Sequence, residues 1–167
     1  QKLAFLSIDV VGSTAMKLGE DPAKAEKDFI RYKTMVEEIL RQHHYFKAAW
    51  TPDGVMICFL ETRDALLAGQ GVIKELMAFN REVKTIKHDF SVRVGVNTGE
   101  LLTEDATPME EMTDRVIDIA GHMQKHGAVS AVSVSEHTIK PLMAEFKYAP
   151  TGKVVDDCPV YEWVSPA

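Results

Sequence analysis

The sequence has little cysteine, no excess of basic residues and no long apolar run. Cys58 and Cys158 are its two cysteines in 167 residues, and neither sits in a metal-ligand spacing. A disulfide framework and a zinc site are therefore excluded, and a reducing, cytoplasmic setting is expected. Lys and Arg number 19 against 25 Asp and Glu, for a net charge of −6. The lysines are scattered along helical stretches, which excludes a general nucleic-acid surface. No apolar stretch approaches the ~20 residues of a membrane-spanning helix, and no signal-peptide pattern opens the chain. Gln1 stands where an initiator Met would be, so a fragment of a longer protein is expected. There is no internal repeat, low-complexity tract or interdomain linker. With 46% hydrophobic residues, residues 1–167 suffice for one domain with a full core.

What is present is a regular alternation of strand and helix patterns. A strand over residues 3–11 is followed by a loop over 12–21. Asp21 is then the N-cap of a long amphipathic helix with Pro22 at its first position; Phe29, Tyr32, Val36, Ile39 and Leu40 recur at helical spacing, and the helix ends near His43 and His44. Residues 46–50 and 55–60 flank "TPDG" and read as a β-hairpin. A helix over 63–83 and a strand around Val92, Val94 and Val96 come next. The polar segment 103–112 reads as a loop before a third helix over 113–126. A strand at 131–134, a short helical piece capped by Ser135, and a terminal strand pair, 146–148 with 160–164, complete the order. This β-α-β-β-α-β core followed by α-β-β predicts a ferredoxin-like α/β sheet with C-terminal additions and helices on one face.

Two acids interrupt this pattern. "FLSIDVVGST" carries strand formers on both sides of Asp9, and a carboxylate in such a strand needs a partner, hydrogen bonds or a metal. Gly12, Ser13 and Thr14 follow it as a turn able to approach an anion closely. Asp53 lies in the hairpin turn, where by itself it reads as ordinary Pro-Asp-Gly turn chemistry. In a ferredoxin-like sheet the first strand and the hairpin are neighbours, so the two carboxylates converge. A hard cation such as Mg²⁺ takes this oxygen ligation, with phosphate oxygens completing its shell. Such a site suits phosphoryl chemistry.

"FLSIDVVGST", Asp53-Gly54, "VRVGVNTGEL" and "VIDIAGHM" resemble, in order and nearly in spacing, the motifs of class III nucleotidyl cyclases, the adenylate and guanylate cyclase homology domain. The resemblance runs over about residues 3–135. It implies a ferredoxin-like domain that dimerises head to tail, with active sites at the interface. It also implies two aspartates holding Mg²⁺ or Mn²⁺, which activate a ribose 3′-hydroxyl and grip a nucleoside triphosphate. The 3′-oxygen then attacks the α-phosphate and pyrophosphate leaves. Carried over by motif, the metal aspartates are Asp9 and Asp53, and Gly12, Ser13 and Thr14 form the triphosphate loop.

The departures lie around the base and the transition state. Ala49 stands where the family has a base-contacting Lys; Lys47 is two residues early, an even offset that keeps it on the same strand face. Pro52 replaces a Gly. On the third helix, Asp118 stands at the position of the ribose-binding Asn and His122 at that of the transition-state Arg, on one helix face. Glu111 stands where the family has its base-selecting acid. Asp118 brings negative charge towards a polyanion, and a single His is mostly neutral at pH 7. Asp118 and His122 are thus the non-standard catalytic positions, with an exposed acid and a solvated histidine as the plain alternatives. Arg93 and Arg115 read as surface or salt-bridge residues. The expectation is a domain that binds a metal–nucleoside triphosphate with degenerate or weak turnover, as a homodimer or a pseudo-heterodimer with another cyclase domain. The alternative is an active cyclase with a non-standard base pocket.

Overall fold

The structure is a computed structural model that describes residues 1–102 and 104–166. Strand β1, Lys2–Val10, leads into a short helix α1, Ser13–Lys17, and a long helix α2, Pro22–Gln42. The hairpin strands are β2, Lys47–Trp50, and β3, Gly54–Phe59. Helix α3, Thr62–Glu82, strand β4, Val92–Glu100, helix α4, Arg115–Lys125, and strand β5, Ala131–Ser135, follow. The chain ends with the short helix α5, Glu136–Ile139, and the strands β6, Ala149–Val155, and β7, Cys158–Val164. The strands form one sheet in the order β2-β3-β1-β4-β5-β7-β6. Every pairing is antiparallel except β4 with β5.

Local chemistry accounts for the long helices. Asp21 caps α2 by accepting a hydrogen bond from the Ala23 amide at 3.0 Å, and Pro22 supplies the preset φ of the first turn. Tyr32, Val36 and Leu40 then pack with Leu66, Val72 and Leu76 of α3 beneath Ala4, Leu6 and Ile8 of β1. Each such side chain, fully removed from water, contributes about 1.5–3 kcal/mol. The buried Asp28 ties α2 to the segment before β4: its carboxylate accepts from the amides of Thr85 at 2.7 Å and Ile86 at 2.8 Å and pairs with Arg31. Burial pushes that carboxyl up, and the hydrogen bonds outweigh it, holding it below the usual range.

Helices cover both faces of the sheet, not one. Leu3 and Phe5 alternate with the residues above and pack instead with Ile117 and Ala120 of α4. β1 is a central strand, so its whole apolar run needs cover on either side. The expected loop over 12–21 contains α1, because Met16 finds a buried position. The expected terminal strand at 146–148 lies further on, at β6. Phe146 and Tyr148 are buried as an edge-to-face pair in the segment before it, while β6 is a mostly exposed edge strand whose polar residues carry no apolar alternation. The loop expected over 103–112 begins at a residue outside the description and contains one 3₁₀ turn at 109–111, anchored by buried Met109. Among the described residues no helix is long and apolar enough to cross a membrane.

Candidate active site

The antiparallel register brings the two interrupting acids together. Asp9 pairs with Gly54 of β3 on one side and with Arg93 of β4 on the other. The Val10 amide donates to the Asp53 carbonyl oxygen at 3.0 Å, which docks the hairpin turn against the end of β1. Within the turn, Thr51 and Gly54 close a hydrogen-bonded loop through the Thr51 hydroxyl. Gly54 is sterically required: a Cβ there would meet Asp9 Oδ1 and the Ile8 carbonyl oxygen, each at 2.8 Å. Both aspartates are half-buried. Burial, reinforced by the charge of Asp53, lifts the Asp9 carboxyl above its ordinary range, and Arg93 opposes the shift.

The same register settles which side chains share this face. Lys47 and Ala49 pair with Cys58 and Met56, which pair in turn with Phe5 and Ser7 of β1. Alternation then puts Lys47, Ala49, Arg93 and Asp9 together on the side where α4 packs. Lys47 is already engaged there: its ammonium donates to the carbonyl oxygens of Glu104, at 3.0 Å, and Thr107, and lies over the Phe46 ring. Glu111 is exposed at the 3₁₀ turn and lines a cleft of about 500 Å³ with Thr107 and Met112. On the loop after β1, Gly12 adopts φ +63°, the left-handed region that favours glycine. Ser13 behind it is buried and Thr14 exposed.

On α4, Asp118 is exposed, and among the described residues its carboxylate makes no hydrogen bond or ion pair. His122, one turn on, is not simply solvated: its Nδ1 lies 2.5 Å from Asp156 Oδ2 in the turn between β6 and β7. Asp156 and Asp157 adopt φ +49° and +63° there, so this contact braces a tight hairpin turn built from two non-glycine residues. Arg93 does more than decorate the surface, since its Nε donates to the Gly127 carbonyl oxygen while its charge faces Asp9.

Two features of the site region escape pattern reading. One is Gly54's steric role, which depends on register. The other is a buried polar network: Ser135 Oγ donates to Asn97 Oδ1 at 2.6 Å, Asn97 Nδ2 donates to the Val116 carbonyl oxygen at 3.0 Å, and Thr138 joins Ser135 to Thr98. This network fastens "VNTG" of β4 to the start of α4. Its only signal in the sequence is polar residues inside an apolar strand.

The donors at Asp9 and Asp53 are hard oxygens. Among the described residues no group of three or more His, Cys, Asp and Glu side chains gathers as a metal site. Two carboxylates that repel each other leave a divalent cation's shell open to ligands from outside the chain, which fits Mg²⁺ or Mn²⁺ arriving with phosphate.

The fold is shared with solved cyclase domains. The adenylyl cyclase CyaB from P. aeruginosa is 15% identical with a TM-score of 0.83, covering 99% of this chain and 95% of that one. The guanylate cyclase domain of RhGC from Catenaria anguillulae, solved with GTP, is 12% identical with a TM-score of 0.80, covering 99% and 96%. A non-canonical dimeric guanylyl cyclase domain of the RhoGC fusion protein from the aquatic fungus Blastocladiella emersonii is 14% identical with a TM-score of 0.78, covering 97% and 93%. No curated protein matches in sequence. The family model for the adenylate and guanylate cyclase catalytic domain matches residues 1–156, and the chain belongs to that family.

Proposed function

We propose that this domain binds a nucleoside triphosphate together with Mg²⁺ or Mn²⁺ at Asp9 and Asp53 and turns it over only slowly. The observation that carries the reading is the pairing of Asp9 with Gly54 beside Asp53, with Gly54 clearing the space that the Asp9 carboxylate occupies. When bound, the cation supplies the charge that grips the triphosphate and activates a ribose 3′-hydroxyl. Gly12, Ser13 and Thr14 cradle phosphate oxygens. GTP occupies the Catenaria domain, which supports a nucleoside triphosphate as the ligand here.

Slow turnover follows from the groups around that centre. Ala49 offers a base no hydrogen bond, and Lys47 reaches the base only by releasing the carbonyl oxygens of Glu104 and Thr107. Glu111 is the remaining acid for base contact. Asp118 places a negative charge where the polyanion reacts, and His122 is committed to Asp156. Losing one preorganised transition-state contact costs on the order of a hundred-fold or more in rate. The site is completed by a second domain, as a head-to-tail homodimer or a pseudo-heterodimer; the Blastocladiella domain, whose own dimer is non-canonical, supports association of two such domains and not its arrangement. The free thiols Cys58 and Cys158 fit a cytoplasmic setting.

A product assay with ATP, GTP, CTP and UTP in Mn²⁺ tests turnover. Cyclic nucleotide formed at well under about 1 s⁻¹, the low end of ordinary enzymes, is the expected result. A rate at or above that value with one base would establish the second reading, an active cyclase with a non-standard base pocket.

A further inference from the structure

The face of the sheet opposite Asp9 carries a cleft of about 460 Å³ between the start of α2 and the end of β2. Its size suits a small organic ligand. Phe29 and Trp50 supply its apolar walls, and Tyr32 lines it from α2. Tyr32 is 3% exposed, and its hydroxyl has no hydrogen-bond partner among the described residues. That hydroxyl is closed off from the cleft, so Tyr32 offers the site the edge of its ring and no polar atom. Two cations stand over the aromatic walls, Lys17 Nζ at 4.6 Å from the Phe29 ring centre and Lys33 Nζ at 5.1 Å from that of Trp50. Glu26 is the one acid lining the cleft, so the lining is net positive.

We propose that this cleft is a binding site for a small amphipathic acid. An apolar body of aromatic size sits between Phe29 and Trp50, where contact with two rings replaces contact with water. The carboxylate faces Lys17 and Lys33, which already hover over those rings and lose little freedom in meeting it. A neutral molecule of the same shape forgoes the lysines, and a small inorganic anion forgoes the walls. Thr51 and Pro52 also line the cleft, so the site ends one residue from Asp53 while lying on the other side of the sheet. It does not depend on nucleotide binding.

Trp50 makes the site readable, because Trp163 is the only other tryptophan. In Trp163→Phe protein, 2-naphthoate should quench Trp50 saturably with a Kd below about 1 mM, and 2-naphthylmethanol should bind at least about threefold more weakly. Lys17→Gln with Lys33→Gln should weaken the acid about fivefold or more and leave the alcohol unchanged. Amide shift mapping on the wild-type chain should place the perturbation at residues 17–33 and 50–52. Absence of saturable binding, equal binding of acid and alcohol, an unmoved Kd for the acid in the lysine variant, or shifts centred elsewhere would each overturn the proposal.

Discussion

Asp9 of β1 lies directly across from Gly54 of β3, so close that a methyl group on Gly54 would come within 2.8 Å of the Asp9 carboxylate. The acid's position therefore depends on a residue with no side chain. Gly54→Ala should destabilise the fold by about 1–3 kcal/mol, the usual cost of forcing extra volume into a packed site. It should also weaken metal-dependent triphosphate binding about tenfold or more, because Asp9 must move. Urea unfolding and Mn²⁺ titration check the two effects separately.

Asp9 should also leave a signature in pH. Burial and then the charge of Asp53 raise its carboxyl above the ordinary range, so the folded chain binds more protons than the unfolded chain between the two pKa values. Stability without metal therefore falls as pH rises through that window. Asp9→Asn should remove the slope and raise the melting temperature near neutral pH, although it removes a metal ligand. Metal–triphosphate binding should weaken as pH is lowered through the raised pKa. Thermal melts across pH 4–8 without metal provide the check, and a lower melting temperature for the Asn variant would contradict the electrostatic account.

The α4 positions make the test of slow turnover. His122→Arg with Asp118→Asn should raise cyclic-nucleotide formation about tenfold or more, by adding a positive charge and removing a negative one where pyrophosphate develops charge. His122→Ala should instead loosen the turn between β6 and β7 at a cost of about 0.5–1.5 kcal/mol, the worth of one side-chain hydrogen bond. A wild-type rate that the double change slows would make Asp118 and His122 catalytic specialisations.

Asn97 predicts a purely structural loss. Asn97→Ala removes the bridge between the Val116 carbonyl and Ser135, whose hydroxyl keeps only Thr138, which should cost about 1–3 kcal/mol. Denaturant unfolding measures it.

Much of this was legible in the residues themselves. Asp21-Pro22 marks the start of α2, "TPDG" marks the hairpin, and an acid inside "FLSIDVV" marks the place where something must compensate a charge. What the residues do not carry is register. The pairing of Asp9 with both Gly54 and Arg93 appears only once β1 is set between β3 and β4. The α4 face was hidden for a related reason, since the continuous apolar run of β1 does not say how many layers cover it. Lys47's engagement with the carbonyl oxygens of Glu104 and Thr107, and His122's with Asp156, join residues far apart in sequence through contacts that no local pattern encodes. β6 escaped because an exposed edge strand has no buried face to impose alternation.

The most direct test is Mn²⁺ binding followed by electron paramagnetic resonance, with and without a non-hydrolysable nucleoside triphosphate, in the wild-type chain and in Asp9→Ala and Asp53→Ala. Two carboxylates alone hold Mn²⁺ weakly, and phosphate oxygens complete the shell. The account predicts that triphosphate and Mn²⁺ bind together to the wild-type chain at least about tenfold more tightly than Mn²⁺ alone, and that either alanine variant, still folded, loses this gain. Undiminished ternary binding in both folded variants, or none in the wild-type chain, would contradict it.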